Sequence, residues 1–239
     1  MTNKNNQERL NRIHERYHIK CEENKQIVVD QADIVILSMK PYDLKEAVLG
    51  LKSLIQPNQL IISVVAGVST DYISQLLGMD NPIIRAMPNT SASIGYAATA
   101  ISKGKYANDQ HVDMAKQLFN TIGITVLIEE DDMHIVTAIS GSGPAYFYYM
   151  VEALEKAAIE SGLDPSIAKT LITQTIIGAG EMLRQSGESA DILRKKVTSP
   201  AGTTEAGIKA LMKHNFEDAI IECVKSAHNR SLELGKQNN

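Results

Sequence analysis

Asp33-Ile34-Val35-Ile36-Leu37-Ser38, closed by Met39-Lys40-Pro41, is a short β-branched and aliphatic run with no polar alternation. Such a run reads as a strand buried on both faces. Downstream of it, Tyr42 to Leu51 places Leu44, Ala47, Val48 and Leu51 on one helical stripe, and Pro57-Asn58 turns the chain into a second buried strand, Leu60 to Val65. A turn at Ala66-Gly67 leads to a helix over Ser69 to Leu77. Ile83-Ile84-Arg85-Ala86-Met87, Tyr96 to Ile101 and Ile124 to Ile128 are further strands, and Asp109 to Thr121 is helical. Upstream, Asn5 to Tyr17 carries Leu10, Ile13 and Tyr17 at helical spacing. Strand–helix–strand alternation predicts a parallel sheet covered on both faces.

The pattern changes between Asp131 and Pro144, after which no strand signal remains. Phe147, Met150, Val151, Leu154 and Ala158 form a helical stripe. Asp164-Pro165 supplies a cap and a first-turn proline for a helix carrying Ile167, Ala168, Leu171, Ile172, Thr175, Ile176, Ala179 and Met182. Phe216, Ile220, Cys223, Val224, Ala227, Ser231 and Leu234 make a third stripe. The chain therefore divides into an α/β domain over residues 1–134 and an all-helical domain over residues 135–239. Long apolar stripes of this kind are buried against a second copy or within a monomeric bundle.

The 239 residues are 44% hydrophobic and 22% charged, as in ordinary globular proteins. The net charge of −4 and the lack of a Lys/Arg stripe argue against nucleic acid, while a small anionic substrate remains compatible with a locally cationic site. Cys21 and Cys223 have no CxxC or Cys/His neighbours, which argues against a disulfide framework or a zinc site and suits reduced thiols in the cytoplasm. The polar start shows no signal-peptide core, and no stretch is apolar and long enough to span a membrane. His14 and His18 share an i, i+4 face, but no acidic or Cys partner stands near them, so no metal site is expected. Glu129-Glu130-Asp131-Asp132 reads as a solvated helix start, and no Ser-His-Asp or Cys-His arrangement is evident.

Ligands of an open α/β sheet sit beyond the carboxyl ends of its strands. There Ser38-Met39-Lys40-Pro41 offers a cation, or only a solvated lysine at a helix start. Val64-Val65-Ala66-Gly67-Val68 lets the backbone approach a flat ligand, or is only a tight strand-to-helix turn. Met87-Pro88-Asn89-Thr90 by itself signals a turn. The most telling segment is Val197-Thr198-Ser199-Pro200-Ala201-Gly202-Thr203-Thr204-Glu205-Ala206, a small, hydroxyl-rich loop leading into a helix. Free N–H groups at a helix start attract a carboxylate, and hydroxyls add donors. A capping box would need one hydroxyl. This loop has Thr198, Ser199, Thr203 and Thr204, which favours an anion or substrate loop.

Ser140-Gly141-Ser142-Gly143-Pro144-Ala145-Tyr146 and Val197 to Thr204 resemble the two most distinctive stretches of pyrroline-5-carboxylate reductases. Ser38-Met39-Lys40-Pro41, Val65-Ala66-Gly67-Val68 and Arg85-Ala86-Met87-Pro88-Asn89-Thr90 match the same family in the same order, so the resemblance covers essentially the whole chain. It implies an amino-terminal Rossmann domain, a helical domain that pairs with a second subunit into a homodimer or larger oligomer, and an active site between the domains. It further implies reduction of 1-pyrroline-5-carboxylate to proline, with NADPH as preferred donor and NADH as a possible one. By the same resemblance Ser38, Met39, Lys40, Pro41, Val64, Val65 and Ala66 would line the cofactor, and Asn24 would lie near the adenosine. Asn3 and Lys4 would approach the ribose 2′-phosphate. Val197, Ser199, Gly202 and Thr203 would hold the substrate carboxylate, and the Thr204 hydroxyl would bond the ring nitrogen as the catalytic contact.

Three departures from the family pattern stand out. Ala201 replaces a usual Gly, which strains the loop if that position needs positive φ, and Ser91 replaces a usual Pro. The third concerns the Rossmann half, which should begin with a strand and a Gly-rich turn. No GxGxxG occurs, since Gly141-Ser142-Gly143 and Gly178-Ala179-Gly180 lack the third glycine. The expectation is therefore an amino-terminally truncated, incomplete Rossmann-like domain with an exposed strand edge and weak NADPH binding. The alternatives are a non-catalytic paralogue with a dimerisation or regulatory role, or a related reductase acting on a different cyclic imine.

Overall fold

The structure, a computed structural model, describes residues 2 and 6–238. Asn3 and Lys4 lie outside the described residues. Helices α1 (Gln7–Tyr17) and α2 (Lys25–Asp30) precede strand β1 (Ile34–Leu37). Helix α3 (Pro41–Leu49) leads to β2 (Leu60–Ser63), and α4 (Thr70–Leu77) to β3 (Ile83–Met87). A 3-10 turn, Thr90–Ile94, joins β3 to β4 (Ala97–Lys103), and α5 (Asp109–Phe119) joins β4 to β5 (Gly123–Leu127).

The strands form one five-stranded sheet in the order β1-β2-β3-β4-β5. Their side chains alternate between two apolar layers, as period-two geometry requires. Leu37, Ile61 and Ile83 face Val29 of α2, Leu44 and Val48 of α3, and Ile73 and Leu77 of α4. Leu60, Ile62, Ile84 and Ile101 face Val112, Ala115 and Phe119 of α5. The all-apolar strand reading thus holds best for β2, where every residue is buried.

The sheet is only mostly parallel. β1, β2 and β3 run together, β4 runs against β3, and β5 runs with β4. A parallel crossover needs a dozen or more residues, and the short link through Thr90–Ile94 can only fold the chain back. At the start of β5, Gly123 adopts φ 154°, and a Cβ there would lie 2.0 Å from the Ala97 oxygen. No other residue permits that approach. On the opposite edge, β1 pairs among the described residues with β2 alone, and its Ile36 is 47% exposed. An apolar edge strand with no charge or proline of its own is an uncommon feature.

The helical part comprises α6 (Met133–Val136), a π-helical turn Thr137–Gly141, α7 (Gly143–Glu160), α8 (Pro165–Ser186), α9 (Ala190–Lys196), α10 (Thr203–Lys213) and α11 (Phe216–Asn238). The chain forms two compact units. One holds residues 1–141 together with 227–239, the other residues 142–226. Within 142–226 only Gly143 and Ala168 are buried, whereas Phe147, Leu171 and Met182 of the expected stripes are each more than half exposed. The stripes are real helical faces, but one chain leaves them uncovered.

Candidate active site

In the first unit, the paired register aligns Leu37, Ser63 and Arg85 across β1, β2 and β3. Because these strands are parallel, the segments that follow them open side by side at one end of the sheet. Ser38-Met39-Lys40-Pro41 leaves β1, Val64-Val65-Ala66 leaves β2, and Met87-Pro88-Asn89 leaves β3. The first two are locked together, since the Val64 N–H donates to the Leu37 oxygen at 3.0 Å. The buried Ser63 hydroxyl accepts the Val65 N–H at 3.3 Å.

Lys40 is the N-cap of α3, with Pro41 in the first turn. Its side chain is exposed and makes no hydrogen bond or ion pair among the described residues. Ala66 is exposed, and the following Gly67 takes φ 71°, which turns the backbone away without a Cβ in its path. Asn24 caps α2, its side-chain oxygen accepting the Gln26 N–H at 3.0 Å. Asn24 thus opens α2, and the short link 31–33 joins the other end of that helix to β1. The structure thus brings Ser38, Met39, Lys40, Pro41, Val64, Val65 and Ala66 to the neighbouring carboxyl ends of β1 and β2.

Two features of this region carried no clear sequence signal. Asn89 accepts the Ser91 N–H at 3.2 Å and donates to the Ser140 oxygen at 3.1 Å, tying the third turn to the π-helical turn. The Asn-x-Ser spacing fits a side-chain turn, but the long-range bond is invisible in one sequence. Below the turns, Arg85 is buried and donates to Glu130 at 3.1 Å, while Glu130 also accepts the Thr70 N–H at 2.9 Å and the Thr70 hydroxyl. Glu130, expected to be solvated, is instead half-buried and pairs with the buried Arg85. Nearby, His134 meets the Ser231 hydroxyl at 2.9 Å. Burial holds its pKa below the usual 6.5, Arg85 and His228 add to the depression, and Glu130 and Ser231 oppose it.

The second unit carries the loop 197–204. Val197 ends α9, and the Thr198 hydroxyl is spent on the Arg194 oxygen at 2.6 Å. The Gly202 N–H donates to the Ser199 oxygen at 3.0 Å, closing a turn over Pro200 and Ala201. Ala201 takes φ 57°, the positive value at which the sequence expects strain. Gly202 is the N-cap of α10, and no side chain caps that helix. The capping-box alternative is not met, since the N-cap is Gly202 and the Glu205 bond goes to Ala201. Glu205 reaches back to the Ala201 N–H at 3.0 Å, but no hydroxyl serves the helix start. Ser199, Thr203 and Thr204 are exposed, and their hydroxyls make no hydrogen bond among the described residues. First-turn N–H groups of a helix lack intrahelical partners, so this entrance is a cluster of open donors.

Among the described residues no group of His, Cys, Asp and Glu could hold a metal ion, and no helix is long and apolar enough to cross a membrane. A sheet that opens its strand ends to a cation and small residues, followed by a helical half, suits a dinucleotide at those ends, and the relatives place the chain among the NADP-dependent oxidoreductases. Residues 1–67 match the family described as NADP oxidoreductase, coenzyme F420-dependent, and residues 130–234 match pyrroline-5-carboxylate reductase dimerisation. The chain is 44% identical to pyrroline-5-carboxylate reductase 1 of Bacillus subtilis, over 99% of this chain and 80% of that protein. It superposes on the pyrroline-5-carboxylate reductase of Coxiella burnetii with a TM-score of 0.91 and 34% identity, covering 98% of this chain and 87% of the other. The Plasmodium falciparum pyrroline carboxylate reductase, solved with NADP bound, gives a TM-score of 0.85 and 30% identity over 92% and 84% of the two chains. The chain belongs to the pyrroline-5-carboxylate reductase family.

Proposed function

We propose that this chain reduces 1-pyrroline-5-carboxylate to L-proline with NADPH, the last step of proline biosynthesis. One observation carries the reading in a member of this family. The entrance to α10 presents unspent hydroxyls of Ser199, Thr203 and Thr204 beside uncapped backbone N–H groups. A small ring bearing a carboxylate fits such donors, and a helix start favours its charge.

These strand ends fit a reduced nicotinamide dinucleotide. Lys40 offers an unpaired cation, and exposed Ala66 leaves room for a flat ring. Ser38, Met39, Pro41, Val64 and Val65 would line it, Asn24 would lie toward the adenosine, and Asn3 and Lys4 would meet the 2′-phosphate. When bound, NADPH supplies a hydride to the imine carbon. The residues of this chain then have little acid–base work to do. Val197, Ser199, Gly202 and Thr203 hold the carboxylate and fix the ring. The Thr204 hydroxyl accepts a hydrogen bond from the protonated ring nitrogen, keeping the C=N bond electrophilic. The nitrogen retains its proton, so imine, hydride and proton balance to the secondary amine. A site without a catalytic His or carboxylate is consistent with this chemistry.

The uncovered faces of residues 142–226 support a homodimer through the helical half, with residues 1–134 as the NADP-binding half and 135–239 as the substrate and dimerisation half. A cytoplasmic location fits two free cysteines. The test is substrate-dependent loss of reduced-nicotinamide absorbance. Thr204→Ala should lower turnover at least about tenfold with NADPH affinity nearly unchanged, as expected for an interaction strongest in the transition state. Near-normal turnover would remove Thr204 from this role.

A further inference from the structure

Ser199-Pro200-Ala201-Gly202 is a β-turn in which Pro200 takes the second position and Ala201 the third, with φ 57° at Ala201. Proline suits the second position of a type II turn, and the third calls for glycine because φ is positive. Ala201 therefore sits where its Cβ is disfavoured, and something must hold it there. The candidate is Glu205. Its carboxylate oxygen Oε2 accepts the Ala201 N–H at 3.0 Å, and the same oxygen is paired with the Lys209 ammonium at 3.1 Å. Glu205 is the third residue of α10, where a capping box would bond the N-cap N–H of Gly202. Here the bond goes one residue further back, to the strained position itself. Lys209 also offsets the carboxylate's charge, so an anion can approach the same loop.

We infer that Glu205 is a positioning residue for the imino-acid substrate. By holding Ala201 in its left-handed conformation, it keeps Ser199, Gly202 and Thr203 in the arrangement that receives the substrate carboxylate. Glu205 does not itself touch the substrate. The inference rests on the reading of residues 197–204 as the substrate loop.

The test is steady-state kinetics of the full chain, varying pyrroline-5-carboxylate at saturating NADPH. Glu205→Ala should raise the substrate KM about tenfold, with kcat and the NADPH KM changed by less than about twofold. Glu205→Gln keeps an acceptor oxygen and should stay near the parent. Ala201→Gly combined with Glu205→Ala should recover much of the loss, because glycine adopts positive φ without help. Ser199→Ala, which leaves the Glu205 bond intact, is the control for the loop itself and should raise KM. If Ser199→Ala raises KM and Glu205→Ala does not, the positioning role falls while the substrate loop stands. A Glu205→Gln variant as impaired as Glu205→Ala, or a double variant with no recovery, also overturns it. A silent Ser199→Ala refutes the substrate loop, and the inference with it.

Discussion

Replacing Leu171 with aspartate tests whether a second copy covers the helical half. Leu171 is 56% exposed on α8, one turn from Ile167 at 48%, while Met182 of α8 and Phe147 and Leu154 of α7 stand at 55%, 58% and 45%. Covering one such half-exposed side chain recovers about 1 kcal/mol, so these residues together supply roughly 5 kcal/mol per chain. Leu171→Asp forfeits one share and brings a carboxylate into an apolar contact, costing about 2 kcal/mol or more in each chain. Two-fold symmetry applies the loss twice, so the dimer should weaken at least about a thousandfold, or ~4 kcal/mol. Sedimentation equilibrium reads this directly. Thermal unfolding adds a second measure, because the parent Tm should rise with protein concentration when association and folding are linked. A Leu171→Asp protein that sediments like the parent, with the same Tm, would refute the covered-face argument.

Other consequences can be checked one residue at a time. Ala201→Gly alone should raise stability by about 1 kcal/mol by removing left-handed strain, read as a higher denaturant midpoint; no increase would show that Ala201 is unstrained. Lys40→Met should raise the NADPH KM about tenfold while leaving the KM for the imino acid unchanged, since one charge-assisted contact is lost. Glu130→Ala leaves Arg85 buried without its carboxylate and should destabilise by ~3 kcal/mol, visible as a lower Tm. His134 has a folded pKa below its unfolded value of 6.5, so the unfolded state binds the extra proton first as pH falls. Its stabilising share is complete above pH 6.5 and is lost progressively below it. The stability-versus-pH slope in that window should flatten in His134→Asn.

The sheet was legible because Ile34 to Leu37, Leu60 to Ser63 and Ile83 to Met87 are apolar runs long enough to dominate local alternatives. The direction of β4 depends instead on how few residues lie between Met87 and Ala97, a length argument that alternation alone does not make. Helix α2 escaped notice because six residues with one buried side chain, Val29, show no period. The loop 197–204 stood out by its hydroxyl density, and the strain at Ala201 because the family that the sequence resembles usually has glycine there. The Glu205 bond, the Asn89 tether and the Arg85–Glu130 pair did not stand out. Each joins groups whose partnership depends on side-chain direction, which residue type and spacing leave open.

Helix α11 begins with the helical unit and ends with the sheet unit, where Ser231 is buried and a Cβ on Gly235 would lie 2.8 Å from the His134 ring. The sheet unit is therefore discontinuous in sequence. Excising residues 1–141 as one piece would strip away the terminal turns of α11 that pack on His134.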